Sequence, residues 1–349
     1  MSSQTPKNVI ITGSARGIGR VIARYLLIAG HRVFLIDVDE KELAYCVNEH
    51  LPTAVAAAAN KSNSTSSEAN SNSLETRLSS ATADLRSPQA IQSAIDAAAA
   101  FFENKIDVLV NNAGIARAGW PDNKTMEDDV VAEWQAYVET NLTAPFLLSR
   151  ACIPYMKARD TPREPGSAVL SPEVSGSEKS EPGSTIINIS SFRAKQSQPN
   201  TEGYGATKAG VLGLTHAMAV SGAQWGIRVN AILPGYIEVT HECKSGDETK
   251  RPWAVTVSEE RHRTHLVGRV GLGVDIAKAV EYLMDAGFVS GQELVVDGGV
   301  THALLDLASH GQESLLDIRG VLGRGLEEWN AQAVREFLQH ILLAFCSSA

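Results

Sequence analysis

The strongest constraint on the fold lies between Asn8 and Asp37. A β-branched run, Asn8-Val9-Ile10-Ile11, leads into Thr12-Gly13-Ser14-Ala15-Arg16-Gly17-Ile18-Gly19, and a helical pattern follows through Leu27. Glycines let the chain turn sharply there and bring backbone close to a pyrophosphate, whose charge a helix N-terminus favours. Val33-Phe34-Leu35-Ile36 reads as a second buried strand and ends in Asp37, eighteen positions past Gly19, where a ribose-binding carboxylate is expected. Strand, glycine turn, helix and strand predict an α/β fold, a doubly wound parallel β-sheet with helices on both faces.

Later apolar runs extend the pattern. Ile106 to Val110, Thr185 to Ile189, Ile227 to Leu233 and Glu293 to Val296 read as strands. Pro88 to Phe102, Asp128 to Lys157 and Val274 to Met284 read as helical stretches. Two polar segments interrupt them. Residues 54–80, rich in Ala, Ser, Asn and Thr, and residues 158–183, with several prolines, are expected to be loose insertions. Residues 1–302 then make one dinucleotide-binding and catalytic domain. Residues 303–349 make a helical extension, in which Leu326, Trp329, Ala333, Phe337, Ile341 and Leu342 recur at helical spacing.

Charge and cysteine usage limit the partners. Across 349 residues, 40 acidic side chains stand against 31 basic ones, a net −9 that argues against a nucleic-acid surface. Cys46, Cys152, Cys243 and Cys346 are scattered without metal-ligand spacing, which suits a reducing compartment. His241, His262 and His265 read as surface polar residues, and no metal is expected. No apolar leader and no run near the ~20 residues of a membrane span are evident. A cytoplasmic location without membrane attachment is the expectation.

The chemistry is expected between Ser190 and Gly213. Tyr204 and Lys208 are four apart in a helical stretch, so phenol and ammonium share one face. An adjacent positive charge favours the phenolate and makes the tyrosine usable as an acid or base. A half-buried Tyr under a snorkelling Lys would have the same spacing. Ser191 follows the strand Thr185 to Ile189 and offers a hydroxyl to a carbonyl at the strand end. Asn141, a polar amide within an apolar-periodic helix, needs partners and can hold water or bend the helix. Asn111-Asn112-Ala113-Gly114 closes a strand with small residues, as where backbone passes close to a ligand.

Taken together, these residues resemble the short-chain dehydrogenase/reductase family, built on one Rossmann domain. The matching points are Gly13, Gly17 and Gly19 after Thr12, Asp37, Asp84, Asn111 to Gly114, Asn141, Ser191, Tyr204, Lys208 and Pro234-Gly235. The resemblance implies an NAD(P)-dependent oxidoreductase interconverting a secondary alcohol and a ketone. In it Tyr204 is the acid/base, Lys208 lowers its pKa and holds the ribose, Ser191 bonds the substrate oxygen, and Asn141 holds a relay water. It also implies cofactor contacts at Gly13, Arg16, Gly17, Ile18, Gly19, Asp37, Asp84, Leu85, Asn111, Ala113, Gly114, Tyr204, Lys208, Pro234, Gly235, Ile237 and Thr240. A homo-oligomer, dimer or tetramer, is implied as well.

Asp37 repels a 2′-phosphate, which favours NAD, while Arg16 keeps NADP as a candidate. Where the family often has Thr, this chain has Val239, with Thr240 next. Specificity for a small-molecule substrate is expected in Phe192 to Thr201 and Tyr236 to Gly268, neither of which carries an obvious clamp for a phosphate or carboxylate. The competing function is a dinucleotide-sensing protein on the same fold, without useful turnover.

Overall fold

The computed structural model describes residues 5–61, 74–158, 183–250 and 257–302. The chain divides into Met1–Ala303 and Leu304–Ala349. The apolar stripe of residues 326–342 and most of the segment 158–183 lie outside the described residues.

The strands are β1 (Asn8–Thr12), β2 (Arg32–Asp37), β3 (Leu78–Thr82), β4 (Val108–Asn111), β5 (Thr185–Ile189), β6 (Arg228–Pro234), β7 (Ile237–Glu238), β8 (Gly271–Leu272) and β9 (Glu293–Val296). Seven of them form one sheet in the order β3-β2-β1-β4-β5-β6-β9, every pair parallel. The helices are α1 (Gly17–Ile28), α2 (Glu40–Tyr45), α3 (Leu51–Lys61), α4 (Pro88–Phe101), α5 (Val131–Val138), α6 (Ala144–Met156), α7 (Glu202–Gly222), α8 (Lys244–Thr249), α9 (Glu259–Arg263) and α10 (Gly273–Asp285).

Alternation along the strands sorts side chains to the two faces of the sheet. Val9, Ile11, Val33, Leu35, Val108 and Val110 pack with Ile22, Leu26, Ile276 and Val280 of α1 and α10. Ile10, Phe34, Ile36, Leu109 and Ile186 pack with Ile91, Ile95, Leu148 and Cys152 of α4 and α6. Burial on both sides explains why these strands read as continuous apolar runs. The strand order reverses between β1 and β4, and the crevice beyond their carboxyl ends is where ligands bind in open α/β sheets.

The expected loose insertion at 54–80 is narrower than its composition suggested. Residues 54–61 continue α3, because alanine is the strongest helix former. Residues 78–80 open β3, which pairs with β2 from Val33↔Leu78 to Asp37↔Thr82. An edge strand needs few apolar residues, and Leu78-Ser79-Ser80-Ala81-Thr82 has few.

Candidate active site

The glycine turn is shaped by close backbone approach. Gly13 has a φ of 62°, and a Cβ there would lie 2.6 Å from the Ala113 Cα. Gly19 likewise has no room for a side chain, facing the Gly13 carbonyl and the Asn112 amide. Asn112 Nδ2 locks the turn by donating to the carbonyls of Thr12 (3.0 Å) and Gly13 (2.9 Å). Thr12 Oγ1 in return accepts the N–H groups of Asn112 and Ala113, each at 3.1 Å. β1 and β4 are thereby tied at the switch point. Gly13→Ala is expected to cost at least ~1–2 kcal/mol from the left-handed backbone alone, with more from the clash, read as a lower denaturant midpoint.

Asp37 is fixed at the end of β2, its carboxylate accepting the N–H of Ala15 (2.9 Å) and of Asp39 (3.0 Å). Two lone-pair directions remain for a ligand hydroxyl. Arg16, which precedes α1, pairs with Asp39 and with Glu42 at 3.8 Å, so its charge is already countered. Ile18 is half-buried in the first turn of α1. Asp84 stands just beyond β3 and pairs with Arg86 at 2.9 Å; Leu85 beside it is buried.

Asn111 reaches the crevice by its backbone, its side chain being held within the sheet. Its Nδ2 donates to Asn188 Oδ1 (2.8 Å) and Ser149 Oγ (3.1 Å), inside the sheet beneath α6. β-Strand alternation sends Asn111 inward and leaves the turn to Asn112. The Thr240 hydroxyl donates to the Glu238 carboxylate. Gly235 is pinned to the end of β9, its N–H donating to Val296 O at 3.0 Å, and Ile237 lies in β7, paired with β8.

The catalytic candidates converge at the carboxyl edge of β4 and β5. Ser191 precedes a short 3₁₀ turn, Phe192–Ala194, and its Oγ accepts the Arg193 N–H at 3.1 Å. The Ser191 hydroxyl lies beside the Tyr204 phenol, close enough to favour its ionised form. Lys208 Nζ lies 5.8 Å from the centre of the Tyr204 ring and donates to Ile189 O at 2.8 Å. Asn141 sits in a π-helical turn, Glu139–Thr143, between α5 and α6, a distortion frequent at functional sites. Its Oδ1 accepts the Ile115 N–H at 2.7 Å, and its Nδ2 donates to Ile115 O at 3.2 Å. A Cβ on Gly114 would lie 3.0 Å from Asn141 Oδ1 and 3.6 Å from Lys208 Nζ, so amide and ammonium meet at that glycine.

The electrostatics differ from expectation in one respect. Burial pushes the Tyr204 phenol up, while the Ser191 hydroxyl and the charge of Arg193 pull it back. Lys208, expected to supply that pull, is itself buried, and desolvation lowers its pKa to about 8. Its ammonium is spent on the Ile189 carbonyl rather than on the phenol oxygen.

Several neighbours were not legible beforehand. Trp120 donates from Nε1 to Glu202 Oε2 at 2.8 Å and packs edge-on against Tyr137, 5.7 Å between centres. Both rings press on Gly203, next to Tyr204, where a Cβ would lie 2.7 Å from Trp120. Arg193 is buried and donates to the Tyr236 hydroxyl at 2.6 Å. His265, expected on the surface, is buried with its ring 5.8 Å from that of Tyr236. Among the described residues no helix is long and apolar enough to cross a membrane.

Known proteins share this fold. The family model described as short chain dehydrogenase matches residues 7–69 and 50–250. An uncharacterized oxidoreductase of Thermotoga maritima is 31% identical over 301 residues, covering 84% of this chain and 96% of the relative. A 3-oxoacyl-[acyl-carrier-protein] reductase of Chlamydia pneumoniae is 31% identical over 304 residues, covering 85% and 97%. Among solved structures, an apo SCOR enzyme from Clostridium thermocellum superposes with a TM-score of 0.63 at 27% identity, covering 88% of this chain and 98% of that one. Sheet order, glycine turn and these matches agree: the chain belongs to the short-chain dehydrogenase family of oxidoreductases.

Proposed function

We propose that the protein interconverts a secondary alcohol and a ketone with NAD as cofactor, Tyr204 acting as the acid/base. The observation that carries this reading is the placement of the Ser191 hydroxyl beside the Tyr204 phenol at the end of β5, with Lys208 and Asn141 meeting at Gly114. A hydroxyl and a phenol aimed at one point can hold a carbonyl oxygen and exchange a proton with it.

The crevice fits a dinucleotide. The positive end of α1 opens onto a turn whose glycines leave backbone accessible, and Asp37 stands where ribose hydroxyls are held. When bound, the nicotinamide supplies or accepts the hydride. The chain's own residues do the rest. Ser191 orients the substrate oxygen, and Tyr204 gives it a proton in reduction or removes one in oxidation. Lys208 and Asn141 hold the proton path behind the phenol.

Binding without turnover is the weaker reading. Desolvation disfavours the Lys208 ammonium, so burying it costs stability at neutral pH, for one carbonyl bond in return. A protein that only senses a dinucleotide could use Lys208 to hold a ribose but has no use for the Ser191 hydroxyl set beside the Tyr204 phenol.

NAD is favoured over NADP because Asp37 offers a negative charge to the 2′ position while Arg16 is neutralised by Asp39 and Glu42. Asp37→Ala is expected to lower the NAD-to-NADP ratio of kcat/KM at least ~10-fold, equivalent to ~1.4 kcal/mol. Steady-state rates with the two cofactors side by side read this directly, and an unchanged ratio removes Asp37 as the discriminating residue. A screen of alcohols and ketones by nicotinamide absorbance tests the reaction class itself.

A further inference from the structure

Two arginines are buried without a carboxylate partner among the described residues, and they differ in kind. The two terminal nitrogens of Arg228 are held by backbone, donating to the carbonyls of Leu283 (2.9 Å), Ala286 (3.0 Å), Met284 (3.1 Å) and Val289 (3.3 Å) around the C-terminal end of α10, and only its Nε is left without a partner among the described residues. A helix C-terminus is a partial negative charge, so Arg228 has its counterpart and its role is structural.

Arg193 has no such counterpart. It is 7% exposed, yet among the described residues its guanidinium donates only to the Tyr236 hydroxyl at 2.6 Å and the Gln196 carbonyl at 3.4 Å. Both partners are neutral, and most of its five N–H donors remain unused. Nearby carboxylates are committed elsewhere, Glu202 to Trp120 and Glu293 to Lys195. A guanidinium stays protonated, and burying it without an anion is expensive.

Its surroundings are built to hold it in place. The guanidinium stacks over Phe192, 4.5 Å from the ring centre, and lies 5.7 Å from that of Tyr236. Arg261 covers the same Tyr236 ring at 5.0 Å. His265 meets that ring edge-on, and its buried Nε2 has no hydrogen-bond partner among the described residues. Arg193 and Arg261 approach the Tyr236 ring from two segments, the turn after Ser191 and the stretch after Pro234-Gly235.

We propose that Arg193 is a specificity-determining residue that receives the carboxylate of the substrate, making the substrate class a short oxo or hydroxy acid. This inference rests on the alcohol–ketone reading above. The carboxylate supplies the missing counter-charge and accepts from the free guanidinium donors as a charge-assisted pair. Bound there, the acid presents its carbonyl to Ser191 and Tyr204. In reduction the carbonyl carbon gains the hydride, its oxygen gains the Tyr204 proton, and the carboxylate is unchanged.

The test compares 2-oxo and 3-oxo acids with their methyl esters, using the full chain and reduced cofactor. For at least one pair, wild-type kcat/KM is expected to be roughly 10- to 100-fold higher for the acid, the range of a hydrogen bond to a charged group. In Arg193→Met that ratio falls towards one, chiefly through KM, and Arg193→Lys restores part of it. Equal rates for acids and esters in the wild type, or a ratio unchanged by Arg193→Met, overturn the assignment.

Calorimetric titration of oxamate and malonamate, unreactive carboxylates, into the NADH-saturated protein separates the two readings. Binding that Arg193→Met abolishes, without turnover of any ketone, upholds the carboxylate site and removes the reaction. Turnover of esters with no oxamate or malonamate bound removes the carboxylate site and leaves the reaction standing.

Discussion

Tyr204→Phe is expected to lower kcat by roughly 10²- to 10⁴-fold, the range that a positioned acid or base contributes, while NADH affinity changes little. The ring keeps its place on α7 and only the hydroxyl beside Ser191 is lost, so packing is not at issue. Equilibrium titration of NADH fluorescence separates binding from turnover. A variant that keeps wild-type kcat would remove Tyr204 as the proton donor.

The pH dependence has a definite sign. Alcohol oxidation needs the phenolate, and burial raises the Tyr204 pKa above its ordinary value of 10. The oxidation rate is therefore expected to climb with pH into the alkaline range. Ketone reduction needs the phenol and is sustained across neutral pH, falling only as that pKa is passed. Because Arg193 pulls the phenol down, removing its charge moves both limbs to higher pH.

Much of this site was readable from residue types and spacing, and what was missed shares a cause. The central strands declare themselves because both faces are buried, so Val9 to Ile11 and Val33 to Ile36 are unbroken apolar runs. β3 lies at the sheet edge, where Ser79 and Ser80 suffice, and so it resembled the polar stretch before it. Tyr204, Lys208 and Ser191 are legible because a helix and a strand end fix their spacing. Arg193, Tyr236, Arg261 and His265 are brought together only by the folding of two distant loops. Their separation in the chain carries no periodic signal, and each alone looks like an ordinary surface residue. Glu242 and Asp247 were hidden for the same reason.

Glu242→Gln is expected to be among the most damaging single substitutions to stability. The Glu242 carboxylate is 7% exposed and joins two guanidiniums, Arg20 at 2.8 and 3.0 Å and Arg24 at 2.6 and 2.9 Å. Arg20, 1% exposed, continues to Asp247 at 2.8 Å, which also meets His50 at 2.9 Å and Tyr45 at 3.1 Å. The network fastens α8 and the residues before it onto α1, where the Glu242 carbonyl accepts the Gly17 N–H at 2.8 Å. Burial pushes the Glu242 carboxyl up, but Arg24 and Arg20 outweigh it and hold the pKa at about 2.

Since the folded pKa lies below the ordinary 4.5, the stabilisation is complete above that pH and is lost as pH falls towards about 2. Removing the charge leaves Arg20 buried without its principal partner, which costs ~3–5 kcal/mol. For a domain of this size that corresponds to a Tm lower by roughly 6–10 °C. Calorimetry at neutral pH is expected to read this difference, and to find it shrinking in acid as the wild type loses the same charge. A double variant, Arg20→Met with Glu242→Leu, should recover part of the loss, because Arg24 and Asp247 still reach solvent at 26% and 29% exposure. Equal midpoints for wild type and Glu242→Gln at neutral pH would mean that the network positions α8 and contributes no net stability.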